Sequence, residues 1–231
     1  MTRKTMAGIK GIALTLALLA SVNVGAQGVE RYVSFDVSNP AAFVSAFDSF
    51  RGSDVMTDST MSLWAATFDG SNPATHVIVV GYEDYEALQE TDNAVGPSLA
   101  WANFQAALDG ASEVTALAMG VEVLADGRGW HDHGAAMVFA MSVQDAATYG
   151  AAFADLIDAS DNPGSVRLMQ MRAGGQGTSH LAAITAPDFA TLNEYIDELF
   201  ASDAYAEFVG KVGDIRRINT TSIYRRVKTW K

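Results

Sequence analysis

Thr75–Leu88 reads T-H-V-I-V-V-G-Y-E-D-Y-E-A-L, and Ser179–Leu192 reads S-H-L-A-A-I-T-A-P-D-F-A-T-L. Each stretch runs through a hydroxyl residue, a His, an apolar strand and a turn, and then Asp, an aromatic and Leu open a helix. The offset of 104 residues extends beyond the stretch: Glu90 falls on Glu194, Trp101 on Tyr205, Phe104 on Phe208 and Val114 on Ile218. Carried further, it sets Trp64 on Leu168 and Phe35 on Phe139. The chain is therefore two copies of one small unit.

Working outward, each copy predicts the same order of elements. Tyr32–Val37 alternates and is rich in β-formers, so it reads as a strand. Asn39-Pro40 then supplies an N-cap and a first helical position. Ala42, Phe43, Ala46, Phe47 and Phe50 recur at helical spacing. Strands are predicted over Met61–Phe68 and His76–Val80, with the turn cluster Asp69–Pro73 between them. A helix opens at Tyr85, breaks near Gly96-Pro97, resumes over Ala100–Leu108 and precedes a strand over Val114–Val123. The second copy repeats this with strands at Ala136–Val143, Val166–Arg172, His180–Ile184 and Ile218–Arg226. Its first helix aligns better at an offset of 106, which predicts a two-residue insertion in the turn before it. The order β-α-β-β-α-β is the ferredoxin-like split unit. One such unit leaves a sheet face bare, and two units bury those faces against each other. The expected fold class is α+β, two ferredoxin-like repeats packed sheet to sheet as a pseudo-dimeric barrel. Repeat one spans 27–124, a connector 125–134, and repeat two 135–231.

The duplicated pattern resembles the dimeric α+β barrel superfamily, which includes antibiotic-biosynthesis-type monooxygenases, stress-responsive barrel proteins, muconolactone-isomerase-like enzymes and haem-handling relatives. The resemblance covers nearly all of the chain after residue 26 and implies a dimer fused into one polypeptide. It carries over no shared catalytic residues. Haem-handling relatives commonly draw a His ligand from a helix, and none of the four His here falls in a predicted helix. The reading therefore calls for no cofactor.

Residues 1–26 read as a signal peptide, with Arg3, Lys4 and Lys10 before the apolar Ile12–Ala20 and a small-residue site at Val24–Ala26. That apolar core is shorter than the roughly 20 residues a bilayer span needs. Export to the periplasm or medium is expected, without membrane insertion, and with no Cys there is neither a lipid anchor nor a disulfide. The full chain carries a net charge of −12. The leader holds three of the fifteen bases and no acid, so the mature chain stands at −15. Such a surface disfavours nucleic acid. Seven bases crowd the last 21 residues, which admits a protein-interaction role for the basic C-terminal strand.

Candidate site residues fall into three groups. His76 and His180 hold equivalent strand-start positions, and with Tyr32 and Tyr82 they are the candidate proton movers of an enzyme. The alternative for both His is a structural bond to the preceding loop. Trp64, Met169, Met171 and Arg167 are candidate ligand contacts. Met137 and Met141 join them if they face the lumen, and an inward Arg would hold an anionic ligand. His131 and His133 would share one face if extended, so they are the metal candidates, although no third ligand lies nearby. No nucleophile elbow, phosphate-binding Gly-rich loop or H-E-x-x-H motif is present. The leading expectation is a soluble exported barrel that accommodates a small apolar molecule. The alternative is a cofactor-independent monooxygenase or isomerase acting on a small aromatic or polyketide-like substrate. In either case the fused halves predict a monomer.

Overall fold

Alternation of apolar and polar residues along eight strands gives each strand two different faces, and the chain uses both. The computed structural model describes residues 28–55, 59–70, 72–126 and 129–231. The expected signal peptide and its cleavage site lie outside them. The strands are β1 (Val29–Val37), β2 (Thr60–Phe68), β3 (His76–Tyr82), β4 (Ser112–Ala125), β5 (Ala135–Val143), β6 (Ser165–Ala173), β7 (His180–Ala186) and β8 (Arg216–Trp230). They close into an antiparallel barrel in the order β1-β3-β2-β8-β5-β7-β6-β4. Each repeat contributes four consecutive strands of that ring. The long final strand of each repeat bridges to the other, β4 to β6 and β8 to β2. The halves thus share one hydrogen-bonded sheet, and neither bridging edge is left unpaired.

Among the described residues six helices lie outside the barrel: α1 (Pro40–Arg51), α2 (Tyr85–Val95), α3 (Leu99–Leu108), α4 (Ala146–Asp158), α5 (Phe189–Ala201) and α6 (Asp203–Val212). Their starts are written in the sequence. Asn39, Asp84, Asp145 and Asp188 each accept a backbone N–H three residues on, and Ser98 and Ser202 do the same for α3 and α6. The outward strand faces pack on these helices in two aromatic-rich cores. In the first, Phe47 meets Phe104 at 4.8 Å and Phe43 meets Phe35 at 5.0 Å. In the second, Tyr149 meets Phe208 at 5.7 Å.

The strand register corrects the repeat alignment. Phe35 faces His76 while Met141 faces His180, so Phe35 corresponds to Met141 and not to Phe139. The first strand thus shares the 106 offset of the first helix, and no insertion sits in the turn between them. Met61 faces Val80 while Val166 faces Ile184, which makes the offset of the second strand 105. Trp64 therefore corresponds to Met169, and Leu63 to Leu168. A slip of one residue moves a side chain to the other face of the sheet, so the expected pairing of Trp64 with Leu168 joined a lumen residue to an outward one. Met137 and Met141 also point outward, into the second helix–sheet core.

Two further differences concern the connector. β4 runs to Ala125, and Trp130–Asp132 forms a single 3-10 turn instead of an extended segment. The turn of Gly174–Gly177 holds Gly174 at φ 71° and Gly177 at φ 90°. A Cβ on Gly174 would come within 2.1 Å of the Leu117 carbonyl oxygen, so glycine is required there twice over.

Candidate functional sites

Two cavities lie on opposite faces of the first repeat's sheet. The larger, of about 830 Å³, lies between that sheet and helices α2 and α3. Its walls include Val33, Phe50, Tyr82, Thr91, Gly96 and Trp101. Arg31 and Asp92 stand at its edge, joined by an ion pair of 2.7 Å between β1 and α2. The Arg31 guanidinium lies 5.7 Å from the centre of the Tyr82 ring. Burial pushes the Tyr82 phenol above its ordinary value, so the group is neutral and able to donate a proton or a hydrogen bond.

The second repeat explains why this space exists. Helices α5 and α6 correspond to α2 and α3 at an offset of 104, and β5 corresponds to β1 at 106. Phe139 stands where the first repeat has Val33, Tyr195 where it has Thr91, and Phe200 where it has Gly96. Phe139 and Phe200 meet at 6.4 Å, Phe200 packs on Tyr205 at 4.6 Å, and Tyr195 is buried. Met137 and Ile196, both buried, stand where the first repeat has Arg31 and Asp92. The second repeat thus sets three aromatic rings there, with Tyr195 buried, Phe139 partly buried and Phe200 44% exposed at the rim. The other half holds smaller or charged residues there, and the Thr91 hydroxyl donates to the Ala87 carbonyl of its own helix.

The smaller cavity, of about 290 Å³, is the barrel lumen. Tyr32, Trp64, Trp130, Met169, Met171 and Tyr224 supply its large surfaces, among small residues such as Ala118 and Ala136. Trp130 of the connector turn plugs one end and stacks on Trp64 at 6.0 Å. Over the Trp130 ring, at 4.7 Å, sits the Arg167 guanidinium. It donates to Glu30 at 2.6 Å and to Glu122 at 2.7 and 2.9 Å. Burial alone would make this guanidinium easier to deprotonate, but Glu30, Tyr32 and Glu122 outweigh it and hold the cation firmly. The Tyr32 hydroxyl donates to Glu30 at 2.6 Å, and burial together with that carboxylate pushes the phenol far up. Toward the other end, Asp69 accepts from Asn72 at 2.7 Å, from Tyr224 at 3.3 Å and from Ser222. The Tyr224 phenol is likewise raised, by burial and then by Asp69.

The expected site residues divide between these places. Tyr82 lines the outer cavity, while Tyr32, Trp64, Met169, Met171 and Arg167 line the lumen. His76 and His180 line neither. Their Nδ1 atoms lie 2.9 Å from the hydroxyls of Thr75 and Ser179, and their rings lie 5.9 Å from Phe43 and 6.3 Å from Tyr149. Burial lowers both pKa values. His131 Nδ1 meets Ser62 Oγ of β2 at 3.1 Å, whereas His133 Nδ1 meets Thr185 Oγ1 of β7 at 2.6 Å. Since the turn is not extended, the two rings engage different strands. No cluster of three His, Cys, Asp or Glu able to hold a metal occurs among the described residues. Arg167 is inward, but two carboxylates already neutralise it, which leaves little charge for an anion. Of the basic C-terminal residues, Lys228 pairs with Asp48, Lys211 with Asp155 and Glu207, and Lys231 with Asp132.

Sequence reasoning missed Glu30, Glu122 and Asp69. Glu30 and Glu122 lay at the ends of, or outside, the predicted strands, and Asp69 was read for its part in a turn. The alternation Glu30-Tyr32-Ser34 was the available signal for Glu30.

This architecture is the dimeric α+β barrel, here closed within one chain. Solved structures with the same fold include a candidate monooxygenase of Fusobacterium nucleatum (15% identity, covering 88% of this chain and 94% of that one, TM-score 0.58). An anthrone oxidase-like protein is also similar (9% identity, 89% and 93% covered, TM-score 0.59), as is a candidate chlorite dismutase (11%, 87% and 95%, TM-score 0.52). At such identities the likeness is one of fold. No family model matches the sequence, and no curated protein matches it. Among the described residues no helix is long and apolar enough to cross a membrane.

Proposed function

We propose that this is an exported ligand-binding barrel protein whose outer helix–sheet cavity takes up an uncharged, largely apolar molecule. One observation carries the reading: the second repeat sets Phe139, Tyr195 and Phe200 at the equivalent positions, whereas the first holds the space open at about 830 Å³. That volume lies within the roughly 300–1,000 Å³ of small-molecule sites. An open apolar cavity costs packing contacts, and a bound ligand would restore them. The Arg31–Asp92 pair at the edge satisfies both of its charges, which disfavours an ionic head group. The test is binding of the uncharged fluorophore diphenylhexatriene, followed by its emission. Val33→Phe with Thr91→Tyr installs the other repeat's residues and should abolish binding while keeping the circular dichroism spectrum. Unchanged binding by a folded variant would refute the assignment.

A second reading, a cofactor-independent oxygenase or isomerase, is favoured by Tyr82 at the wall of the same cavity beneath Arg31. A neutral phenol there would exchange a proton or hydrogen bond with an aromatic substrate, while the apolar walls orient it. The fold shared with an anthrone oxidase-like protein suggests the assay: anthrone plus O₂ giving anthraquinone plus water, followed by oxygen uptake. Turnover lost in Tyr82→Phe would support the reading. No turnover above buffer in the wild type would remove it.

A further inference from the structure

The barrel lumen breaks the internal symmetry. By strand register, Glu30 corresponds to Ala136, Tyr32 to Val138, Trp64 to Met169, and Arg167 to Ser62. Tyr224 corresponds to Gly120, because Val29 faces Val121 where Ala135 faces Arg225. Every polar group named has an apolar, small or uncharged counterpart. A structural feature of the ancestral unit would stand twice, as the two Thr/Ser–His pairs do. These groups stand once.

Their hydrogen-bond polarity is uniform. Both phenolic hydrogens are committed to carboxylates, Tyr32 to Glu30 and Tyr224 to Asp69. What the phenols can offer a guest is therefore oxygen lone pairs. Arg167 Nε and Nη2 donate to Glu30 and Glu122, and Nη2 also to the Met169 sulfur. Of the charged side chains that line the cavity, Glu30 and Asp69 against Arg167 leave a formal −1, and Glu122, which also neutralises Arg167, lies outside the lining. The next cation, Arg226, donates to the His131 carbonyl and does not line the cavity. The phenol lone pairs and the net negative charge of the lining suit a guest that donates, and aromatic faces attract a cation as well. The volume of about 290 Å³ is roughly twice the ~150 Å³ apolar cavity that takes up benzene. It therefore admits one or two rings with a short chain.

We propose that the lumen is a second binding site, separate from the outer cavity, and that it selects a small aromatic amine in its ammonium form. The ring lies against Trp64, Met169 and Met171, and the ammonium faces the Tyr224 oxygen and Asp69, away from Arg167. The structure thereby disfavours carboxylate guests even though an arginine lies inside.

The experiment is calorimetric titration of the full mature chain carrying Val33→Phe and Thr91→Tyr, so that the outer cavity is filled, with wild type run beside it. Three probes share one skeleton: 2-phenylethylamine, 2-phenylethanol and 3-phenylpropionate. The amine should bind about tenfold or more tighter than the alcohol, as a charge-assisted hydrogen bond implies, and the acid weakest. Asp69→Asn should remove most of the preference for amine over alcohol. Ala118→Trp should block all three, and the milder Ala140→Leu, read in the same way, serves if that variant does not fold. Binding of the acid as tightly as the amine, no binding of any probe, or amine binding unaffected by Ala140→Leu would each overturn the proposal.

Discussion

Removing the lumen cation by Arg167→Met should be among the most damaging single substitutions in the chain. The Arg167 side chain is 8% exposed and that of Glu30 6%, while Glu122 is 33% exposed. With methionine in place, Glu30 stays buried with one phenol and no counter-charge, and the Trp130 ring loses the cation above it. Breaking a buried pair from one side costs about 3–5 kcal/mol, most of it the penalty of the stranded charge. For a chain of this size each kcal/mol moves the melting temperature by about 2–4 °C, so the expected drop is about 6–20 °C. Thermal melts followed by circular dichroism at neutral pH supply the measurement. Adding Glu30→Gln and Glu122→Gln to Arg167→Met should recover much of the loss, because neither carboxylate of the triad is then left without its counter-charge. A melt of Arg167→Met within about 2 °C of wild type would refute the reasoning, since the triad would then be solvated and the lumen polarity derived from it would fail.

Other outcomes follow from the same structure. His76→Ala and His180→Ala should each cost on the order of 1 kcal/mol, nearly additively, and leave diphenylhexatriene binding intact; a thermally silent substitution that abolishes binding would contradict their placement. Burial holds His131 neutral down to about pH 4 in the folded protein, whereas the unfolded chain takes up that proton near 6.5. The unfolded state therefore binds more protons in that window, and stability should fall as pH drops from 6.5 toward 4, less steeply in His131→Gln; denaturant melts at several pH values would show it. Because the partner half is already supplied in the chain, size-exclusion chromatography with light scattering should give a monomer, and a tight dimer at micromolar concentration would count against that expectation.

The fold was legible where the periodic and capping signals were strong. Asp84 with Asp188, the aromatics of α3 and α6, and the His-led strands align at one constant offset, so the second half of each repeat could be read directly. The first half drifts to offsets of 105 and 106, because the segments preceding β2 and β3 differ in length between the repeats. An undetected slip of one residue exchanges lumen and outer faces, and Trp64 was thereby matched to Leu168 instead of Met169. The candidate sites were harder to read for a related reason. Attention to duplicated residues selects the scaffold, as His76 and His180 illustrate. The cavities are made by unduplicated features: Thr91 opposite Tyr195, Gly96 opposite Phe200, and Glu30 opposite Ala136. Arg167 could be suspected of facing inward, but its neutralisation by Glu30 and Glu122, each on a different strand, became visible only with the barrel closed.

The central claim is that the first repeat's helix–sheet cavity is a ligand site. Native mass spectrometry of the mature protein, exposed to a lipid extract of its own cells and then desalted, tests it most directly. Wild type should carry a neutral lipophile at one equivalent, and Val33→Phe with Thr91→Tyr should appear at its bare mass. The same adduct on both proteins, or none on wild type, would contradict the account.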